Sequence, residues 1–207
     1  MAFDELQKAV IEGDSDESVR LVQQHLDEGK EAKDILDNGL IAAMDVVGDL
    51  FGKGELFIPE MLIAAEAMQD GLALLKPLIV DQEEGGKGTV VIGAVKGDLH
   101  DIGKNLVALM LEGAGFNVVD LGADVTPEAF VAAAQEHKAD VVGMSALLVT
   151  TMPQMRITVS RMRDAGLDAK AIVGGAPLTQ AYADEIQADG YASDAPGAVV
   201  LCKKLLA

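Results

Sequence analysis

Hydrophobic positions in the first 80 residues of the chain recur every three to four residues, which is the period of an amphipathic α-helix. The four apolar stretches with this period are 6–11, 19–26, 35–50 and 61–75. Pro59 suits the first turn of the fourth helix, whereas Pro77 predicts a kink or an end. The N-terminal half is therefore predicted to be a four-helix bundle.

The pattern changes after residue 88, where short β-rich runs alternate with stretches of helical period. The predicted strands are 89–95, 116–121, 139–145, 170–174 and a weaker one at 190–192. Because connections of this length can hold helices, the alternation predicts a parallel sheet covered on both faces. Five strands fit a flavodoxin-like, doubly wound α/β fold of the Rossmann type, which binds ligands beyond the carboxyl ends of its strands.

Charge divides the chain at about the same place. The 207 residues carry a net charge of −18, and residues 1–84 hold twenty acidic and six basic side chains, against fourteen and ten in residues 85–207. The charged, glycine-rich stretch 81–88 is typical of a linker. We therefore predict a helical cap domain at 1–86 and an α/β domain at 87–207.

Composition excludes several classes of protein. The strongly negative net charge would repel a phosphate backbone, so no nucleic-acid partner is expected. No apolar run approaches a membrane span, and no membrane partner is expected. Cys202 is the single cysteine, which excludes an internal disulfide framework and a cysteine-built zinc site. The acidic N-terminus lacks the regions of a signal peptide, so a cytoplasmic location is expected.

One loop carries the candidate chemistry. Residues 96–105, Lys-Gly-Asp-Leu-His-Asp-Ile-Gly-Lys-Asn, directly follow the first predicted strand and precede a helical pattern. Asp98 stands two residues before His100, a spacing that lets a carboxylate accept from one ring nitrogen while the other faces outward as a metal ligand. Such a pair suits a single bond between the protein and a metal.

Three other interpretations are open when the loop is considered alone. Gly97, Gly103 and Lys104 resemble a phosphate-binding loop, but five residues separate the glycines instead of four, and Asn105 stands where Ser or Thr would hold magnesium. A hydrolytic metal centre needs several further ligands, and the other two histidines lie on predicted helices. In the third interpretation His100 only caps the following helix.

Three motifs in order carry a resemblance to cobalamin-binding domains. Residues 98–103 match the signature Asp-x-His-x-x-Gly, residues 145–147 match the Ser-x-Leu element after the third strand, and residues 174–175 match the paired glycines after the fourth. The acidic helical half, with its stretch 57–60 before the last helix, resembles the helical cap of the same family. The chain resembles corrinoid proteins of cobalamin-dependent methyltransferase systems over nearly its whole length, and it is similar to the cobalamin-binding module of methionine synthase.

The resemblance implies that cobalt of cobalamin or a related corrinoid is bound by His100 in place of the cofactor's own benzimidazole, while Asp98 holds the other ring nitrogen. Protonation of this pair would follow the change between the cob(I)alamin and methylcobalamin states. Thr150 or Thr151 is the next hydrogen-bonding candidate, with Thr151 in a possible relay behind the pair. The cofactor-binding residues so implied are Gly97, Asp98, Leu99, His100, Asp101, Ile102, Gly103, Ser145, Leu147, Thr150, Thr151, Gly174, Gly175, Tyr191 and Ala192, with Met61 and Leu62 of the cap shielding the cobalt.

The function implied is carriage of a methyl group from a substrate-specific methyltransferase to a second, corrinoid-dependent methyltransferase, whose acceptor is tetrahydrofolate or a thiol cofactor. A reductive activation protein is a further expected partner. The chain is expected to be a carrier subunit of an enzyme system instead of a complete enzyme. The alternatives are a cobalamin-binding subunit of a mutase, which would not require the helical cap, and a cobalamin-dependent sensor or regulator, which would normally bring a basic DNA-binding segment.

Overall fold

The computed structural model describes residues 3–79 and 87–207. The chain divides into two compact units, one of residues 1–85 with 113–115 and the other of residues 86–112 with 116–207. The predicted linker at 81–88 lies outside the described residues except for Lys87 and Gly88, and the boundary between residues 86 and 87 stays a prediction.

The first unit is helical, as its apolar period predicts. Its elements are α1 (Asp4–Glu12), α2 (Ser15–Asp27), α3 (Ala32–Ile35), a π-helical turn (Leu36–Ile41), α4 (Ala42–Gly52) and α5 (Ile58–Ile79). The third predicted helix therefore consists of α3, the π turn and α4 in succession. Asp14 caps α2 by accepting a hydrogen bond from the backbone N–H of Glu17.

Helix α5 begins as predicted and does not end at Pro77. Pro59 occupies its first turn, and the Glu60 carboxylate accepts a hydrogen bond from the backbone N–H of Phe57, just before the helix. The helix continues two residues beyond Pro77, to Ile79, where the sequence predicts a kink or an end. Proline removes one N–H from the helical ladder, but residues 78 and 79, the last ones described in this segment, remain helical.

The second unit is a five-stranded parallel sheet flanked by helices, which confirms the predicted fold class. The strands are β1 (Thr89–Ala94), β2 (Asn117–Asp120), β3 (Val141–Ser145), β4 (Lys170–Gly174) and β5 (Gly190–Ala192). The helices are α6 (Ile102–Gly113), α7 (Pro127–Glu136), α8 (Pro153–Asp164), α9 (Gln180–Ile186) and α10 (Ala195–Leu205). The strand order is β2-β1-β3-β4-β5, which is that of a flavodoxin-like sheet.

The strand register places the carboxyl ends of β1, β3, β4 and β5 side by side. Ala94 of β1 lies beside Ser145 of β3, and Ser145 lies beside Gly174 of β4, which in turn lies beside Ala192 of β5. The central strands are buried on both faces, as the continuous apolar runs in β1 and β3 require. Predicted site residues therefore end β3, β4 and β5 at one edge of the sheet, beside the end of β1 from which the His100 loop starts.

Gly175 is a position that the fold requires to be glycine. Its φ is +129°, and a Cβ built there would lie 1.9 Å from the carbonyl oxygen of Ala146. Substitution would therefore force β4 and the end of β3 apart, in addition to the strain of a left-handed backbone.

We expect Gly175→Ala to lower the free energy of unfolding by about 3 kcal/mol or more, the upper end for overpacking. Gly166 is the matched control, because its φ is +67° but no atom lies within 4 Å of the place where a Cβ would stand. Gly166→Ala should cost about 1–2 kcal/mol, from the backbone alone. Urea denaturation of both variants measures the difference, and equal losses would contradict the close approach at Gly175.

Candidate corrinoid-binding site

The candidate site lies at the carboxyl edge of the sheet, in the loop between β1 and α6. The chain leaves β1 toward β2 on one side, while β3 lies on the other side of β1, so this loop is at the topological switch point. The loop residues 98–101 belong to no helix or strand. Loops at a switch point bring side chains from several strand ends together around a ligand. The sequence predicts this location for the loop that contains His100.

Asp98 is the centre of the site, because its fully buried carboxylate accepts five hydrogen bonds. Oδ1 accepts from the ring Nδ1 of His100 at 2.7 Å and from the backbone N–H of His100 at 3.1 Å. Oδ2 accepts from the backbone N–H groups of Leu147 at 2.7 Å and Leu148 at 3.2 Å, and from the Thr151 hydroxyl at 2.8 Å. The β1 and β3 loops are therefore joined through one carboxylate.

These donors keep Asp98 ionised. Burial by itself raises the pKa of a carboxyl group, but the hydrogen bonds from Leu147, His100 and Thr151 outweigh it and hold the pKa of Asp98 well below its ordinary range. An ionised carboxylate only accepts hydrogen bonds. The proton between Asp98 and His100 therefore belongs to the imidazole Nδ1.

His100 is held at one nitrogen and open at the other. Its Nδ1 contacts Asp98, whereas its side chain is 51% exposed and its Nε2 has no hydrogen-bond partner within residues 3–79 and 87–207. With the proton on Nδ1, the lone pair of Nε2 is free to bind a metal. Those same residues contain no group of three or more His, Cys, Asp or Glu side chains arranged to hold a metal ion. His100 thus offers a single protein ligand.

Thr151 lies on the far side of the carboxylate from His100. Its hydroxyl oxygen is 2.8 Å from Asp98 Oδ2 and also 2.8 Å from the carbonyl oxygen of Leu148. Both neighbours only accept, and a hydroxyl has one hydrogen, so the two hydrogen bonds compete for the same proton. The adjacent Thr150 is exposed and does not take part in these bonds.

The other predicted residues end the neighbouring strands. Ser145 and Gly174 lie side by side at the ends of β3 and β4, and a Cβ on Gly174 would lie 3.1 Å from the carbonyl oxygen of Ala192. Tyr191 is partly buried and packs against the core of the α/β unit. Small residues therefore occupy the ends of three adjacent strands, in register.

The remaining loop residues shape the turn. Gly97 has a φ of +83°, which favours glycine, and Asp101 is exposed, with a carbonyl that accepts from the N–H of Asn105 at 2.7 Å. Gly103 lies in the first turn of α6, and nothing lies within 4 Å of the position of its missing Cβ. These residues carry the chain from β1 into α6.

The two loops that meet at Asp98 carry an exposed apolar rim, and the sequence predicts only part of it. Its members are Leu99, Ile102, Leu147, Leu148 and Val149, which are between 41% and 83% exposed. Leu99, Ile102 and Leu147 are among the predicted site residues, whereas Leu148 and Val149 are not. The missed pair follows the Ser-x-Leu element directly, and an apolar run beyond the end of a buried strand is the signal that points to it. Exposed apolar patches of this kind mark binding surfaces.

Two interactions near the site, which involve Lys104, Asp120 and Asp124, were not predicted from the sequence. The Lys104 ammonium is buried and pairs with the Asp120 carboxylate at the end of β2, and the Asp124 carboxylate accepts from the backbone N–H of Gly97 at 2.7 Å. Contacts between residues 16 and 27 positions apart leave no period in the sequence, so no local pattern predicts them.

In the helical unit, the two predicted shielding residues differ in exposure. Met61 is fully buried, whereas Leu62 is 46% exposed. Ile58 and Ile63 of the same end of α5 are also exposed, as is Phe57 just before the helix. Of the two predicted residues, Leu62 is the one with side-chain surface free to contact a ligand.

A cleft of about 950 Å³ lies elsewhere in the α/β unit, between α7 and α8. Its lining consists of residues from those two helices and Ala165, and it includes none of the predicted site residues. Placement at the strand ends and the open imidazole, and not cavity size, therefore identify the site.

Comparison with known families assigns the fold and site to a class. A family described as a B12 binding domain matches residues 88–200, which contain all five strands and the His100 loop, and a second family with the same description matches residues 2–76. The class defined by the fold and the site is that of the B12-binding proteins. No helix in the described ranges is long and apolar enough to cross a membrane.

Full-length relatives narrow the class. A corrinoid protein of Desulfitobacterium hafniense is 44% identical over 209 residues, covering 99% of this chain and 97% of that protein. Dimethylamine corrinoid protein 1 of Methanosarcina acetivorans is 44% identical over 206 residues, covering 98% and 96%. The chain belongs to the family of corrinoid proteins of methyltransferase systems.

Solved structures agree with this assignment. The methanol:cobalamin methyltransferase complex of Methanosarcina barkeri contains a chain that superposes with a TM-score of 0.89 at 32% identity, covering 98% of this chain and 78% of that one. A cobalamin-binding protein of Desulfitobacterium hafniense superposes with a TM-score of 0.79 at 30% identity, covering 97% and 96%. The residues of this chain fit a corrinoid, because they offer a single open imidazole nitrogen, and the two loops that meet at Asp98 carry exposed apolar side chains.

We expect Asp98→Asn to lower the free energy of unfolding by about 3 kcal/mol at pH 7, because the amide NH₂ would face buried donors that the carboxylate now accepts from. The lowered pKa of Asp98 means that its ionised form stabilises the native state fully above the unfolded value, about 3.9. This contribution is lost as the pH falls below that value toward the native pKa. The stability gap between wild type and variant should therefore shrink in acid.

Urea denaturation at pH 7 and at pH 3 measures the gap. Asp189→Asn is a useful control, because the Asp189 carboxylate also accepts a backbone N–H, from Ala171 at 2.8 Å, but has no part in this network. A gap for Asp98→Asn that stays constant at both pH values would contradict the proposed origin of its stabilisation.

Proposed function

We propose that this protein binds a corrinoid through His100 and carries a methyl group between two methyltransferases. The single observation that supports this most strongly is the His100 imidazole, which is fixed at Nδ1 by Asp98 and open at Nε2. When bound, cobalt supplies the nucleophile that accepts a methyl group and the leaving group that releases it. The exposed apolar rim would contact the corrin ring around His100.

In this proposal Asp98 controls the basicity of the ligand. A buried carboxylate that accepts a hydrogen bond from Nδ1–H orients the ring and fixes the tautomer. It also makes Nε2 a stronger metal ligand. The same hydrogen bond would keep the imidazole in one orientation and present Nε2 to the cofactor. Thr151 modulates the same carboxylate from the other side, through the hydrogen bond to Oδ2.

The strand ends are proposed to accommodate the displaced nucleotide tail. Ser145 would supply a hydroxyl, and the absence of side chains at Gly174 and Gly175 leaves room near Tyr191 and Ala192. We further propose that α5 shields the corrinoid from water, with Leu62 as the contacting residue because its side chain is exposed and that of Met61 is buried. Methyl transfer would then require this shield to move.

Methylated amines are the donors that we propose for the first methyltransferase. Relatives that are 41–44% identical over nearly the whole chain are named dimethylamine and trimethylamine corrinoid proteins. The second partner would pass the methyl group to tetrahydrofolate or a thiol cofactor, and a reductive activation protein would restore the active cobalt state. The high negative charge of residues 1–84 would favour docking to basic partner surfaces.

We expect the protein reconstituted with hydroxocobalamin to show a visible spectrum of a cofactor whose benzimidazole is displaced by histidine. His100→Ala should change that spectrum and weaken binding by about 10- to 100-fold or more, since loss of an outer-shell partner alone costs that much. His137→Ala is the matched control, because His137 is exposed at the end of α7. An unchanged spectrum in His100→Ala would contradict the assignment of His100 as the cobalt ligand.

For the carrier role, we expect the reduced, reconstituted protein to become methylated by dimethylamine only when a dimethylamine methyltransferase is added. In this proposal the partner supplies the site that binds the methyl donor. Transfer of ¹⁴C-labelled methyl groups to the protein measures the step. Methylation without the partner, or isomerase activity with adenosylcobalamin, would contradict the proposal, the latter in favour of a mutase subunit.

A further inference from the structure

The position of His100 depends on what holds its loop, because the loop has no regular structure of its own. Residues 98–101 lie between the end of β1 and the start of α6, and the imidazole is half exposed. Asp98 fixes the ring relative to itself. The loop as a whole must therefore be held at its two ends.

The downstream end is held by an ion pair between a buried lysine and an exposed aspartate. Lys104 lies in the first turn of α6, and its side chain is only 1% exposed. Its ammonium donates to Asp120 Oδ1 at 2.6 Å, to Asp120 Oδ2 at 2.5 Å and to Asn105 Oδ1 at 2.5 Å, which satisfies its three hydrogens.

Burial of the Lys104 ammonium at this position costs free energy. A cation in the first turn of a helix is disfavoured by the helix dipole, and burying an ammonium is unfavourable without a paired anion. Asp120 supplies that anion from the end of β2. The pair therefore fixes the start of α6, whose Asn105 N–H bonds the carbonyl of Asp101, directly beside His100.

The upstream end is held by Asp124. Its carboxylate accepts from the backbone N–H of Gly97 at 2.7 Å, and its own backbone N–H donates to the carbonyl of Asp98 at 3.0 Å. Asp124 has a φ of +56°, in the left-handed region that a non-glycine residue rarely adopts. Such backbone strain clusters at functional sites.

Both partners come from one short segment that is itself fixed to β1. The N–H of Leu121 bonds the carbonyl of Ile92 at 2.8 Å, and the N–H of Ala94 bonds the carbonyl of Gly122 at 2.9 Å. The Asp120 carboxylate also accepts from the N–H of Gly122 at 2.8 Å. Residues 120–125 therefore form a brace that holds the His100 loop from both sides.

We propose that Lys104 and Asp120 are positioning residues, which set the location of His100 through the start of α6. Neither contacts the imidazole, so their effect is indirect. This inference rests on the proposed function only where it concerns corrinoid binding. The position of His100 itself can be measured in the corrinoid-free protein.

The test compares Lys104→Met and Asp120→Asn with Asp189→Asn, all in the full chain. Asp189 is the control because it lies at the opposite, amino edge of the sheet, where it too accepts a backbone N–H and lies 3.9 Å from a lysine, Lys170. The first readout is the ¹⁵N and ¹H NMR signal of the His100 Nδ1–H in the corrinoid-free protein, assigned by its absence in His100→Ala.

Positioning predicts that the Nδ1–H signal of His100 is lost to solvent exchange in both brace variants and kept in Asp189→Asn. The second readout is the fraction of bound hydroxocobalamin with the histidine-ligated visible spectrum, which should fall in the same two variants, with about tenfold weaker binding. Retention of the wild-type Nδ1–H signal in folded Lys104→Met and Asp120→Asn would overturn the inference.

Asp120→Asn leaves the buried Lys104 ammonium without its anion and can unfold the domain, whereas Lys104→Met leaves only an exposed carboxylate. The double variant Lys104→Met/Asp120→Asn therefore separates the two roles. It removes both charges and should recover stability. If the pair positions His100, the Nδ1–H signal stays lost in the stable double variant. If the signal returns with stability, the pair serves the fold alone and the inference is wrong.

The outcomes also separate this inference from the proposed function. If wild type gives the Nδ1–H signal but no histidine-dependent spectrum with hydroxocobalamin, the proposed function fails while the first readout still decides the positioning role. If the spectrum depends on His100 in wild type but is unaffected in the brace variants, the proposed function stands and the inference fails.

Discussion

The buried carboxylate of Asp98 is the interaction on which the site depends. Burial of an ionised group is unfavourable unless donors replace the lost water, and five donors from two loops do so. The carboxylate thereby connects two loops that are distant in the sequence, and it can orient the His100 ring only because Leu147 and Thr151 saturate its other oxygen. Geometry at His100 is thus a property of the sheet edge as a whole.

Parallel strand order explains why this edge is assembled without long insertions. Because β1 lies between β2 and β3, the three connections that follow these strands meet around one point. The loop after β1 supplies Asp98 and His100, the loop after β3 supplies their donors, and the loop after β2 supplies Asp124. Each connection is short, so the register of the strands largely fixes the positions of the loop side chains.

The sequence predicts elements with a strong period and motifs with fixed spacing, and it fails where contacts are distant. The strands, the helical unit and the location of the His100 loop follow from apolar patterning and from the position of the loop after β1. The Lys104–Asp120 pair does not, since an isolated lysine in a first helical turn has the local signature of an exposed residue. Pro77 lies within α5 although a proline is a local signal for the end of a helix, because the local rule does not include the packing of the rest of the helix.

The hydroxyl of Thr151 has two acceptors and one hydrogen, at equal distances from Asp98 and the Leu148 carbonyl. Exchange between them needs rotation about a single C–O bond and displaces no heavy atom. The Asp98 carboxylate can therefore gain or lose one of its donors without any change in the backbone of either loop.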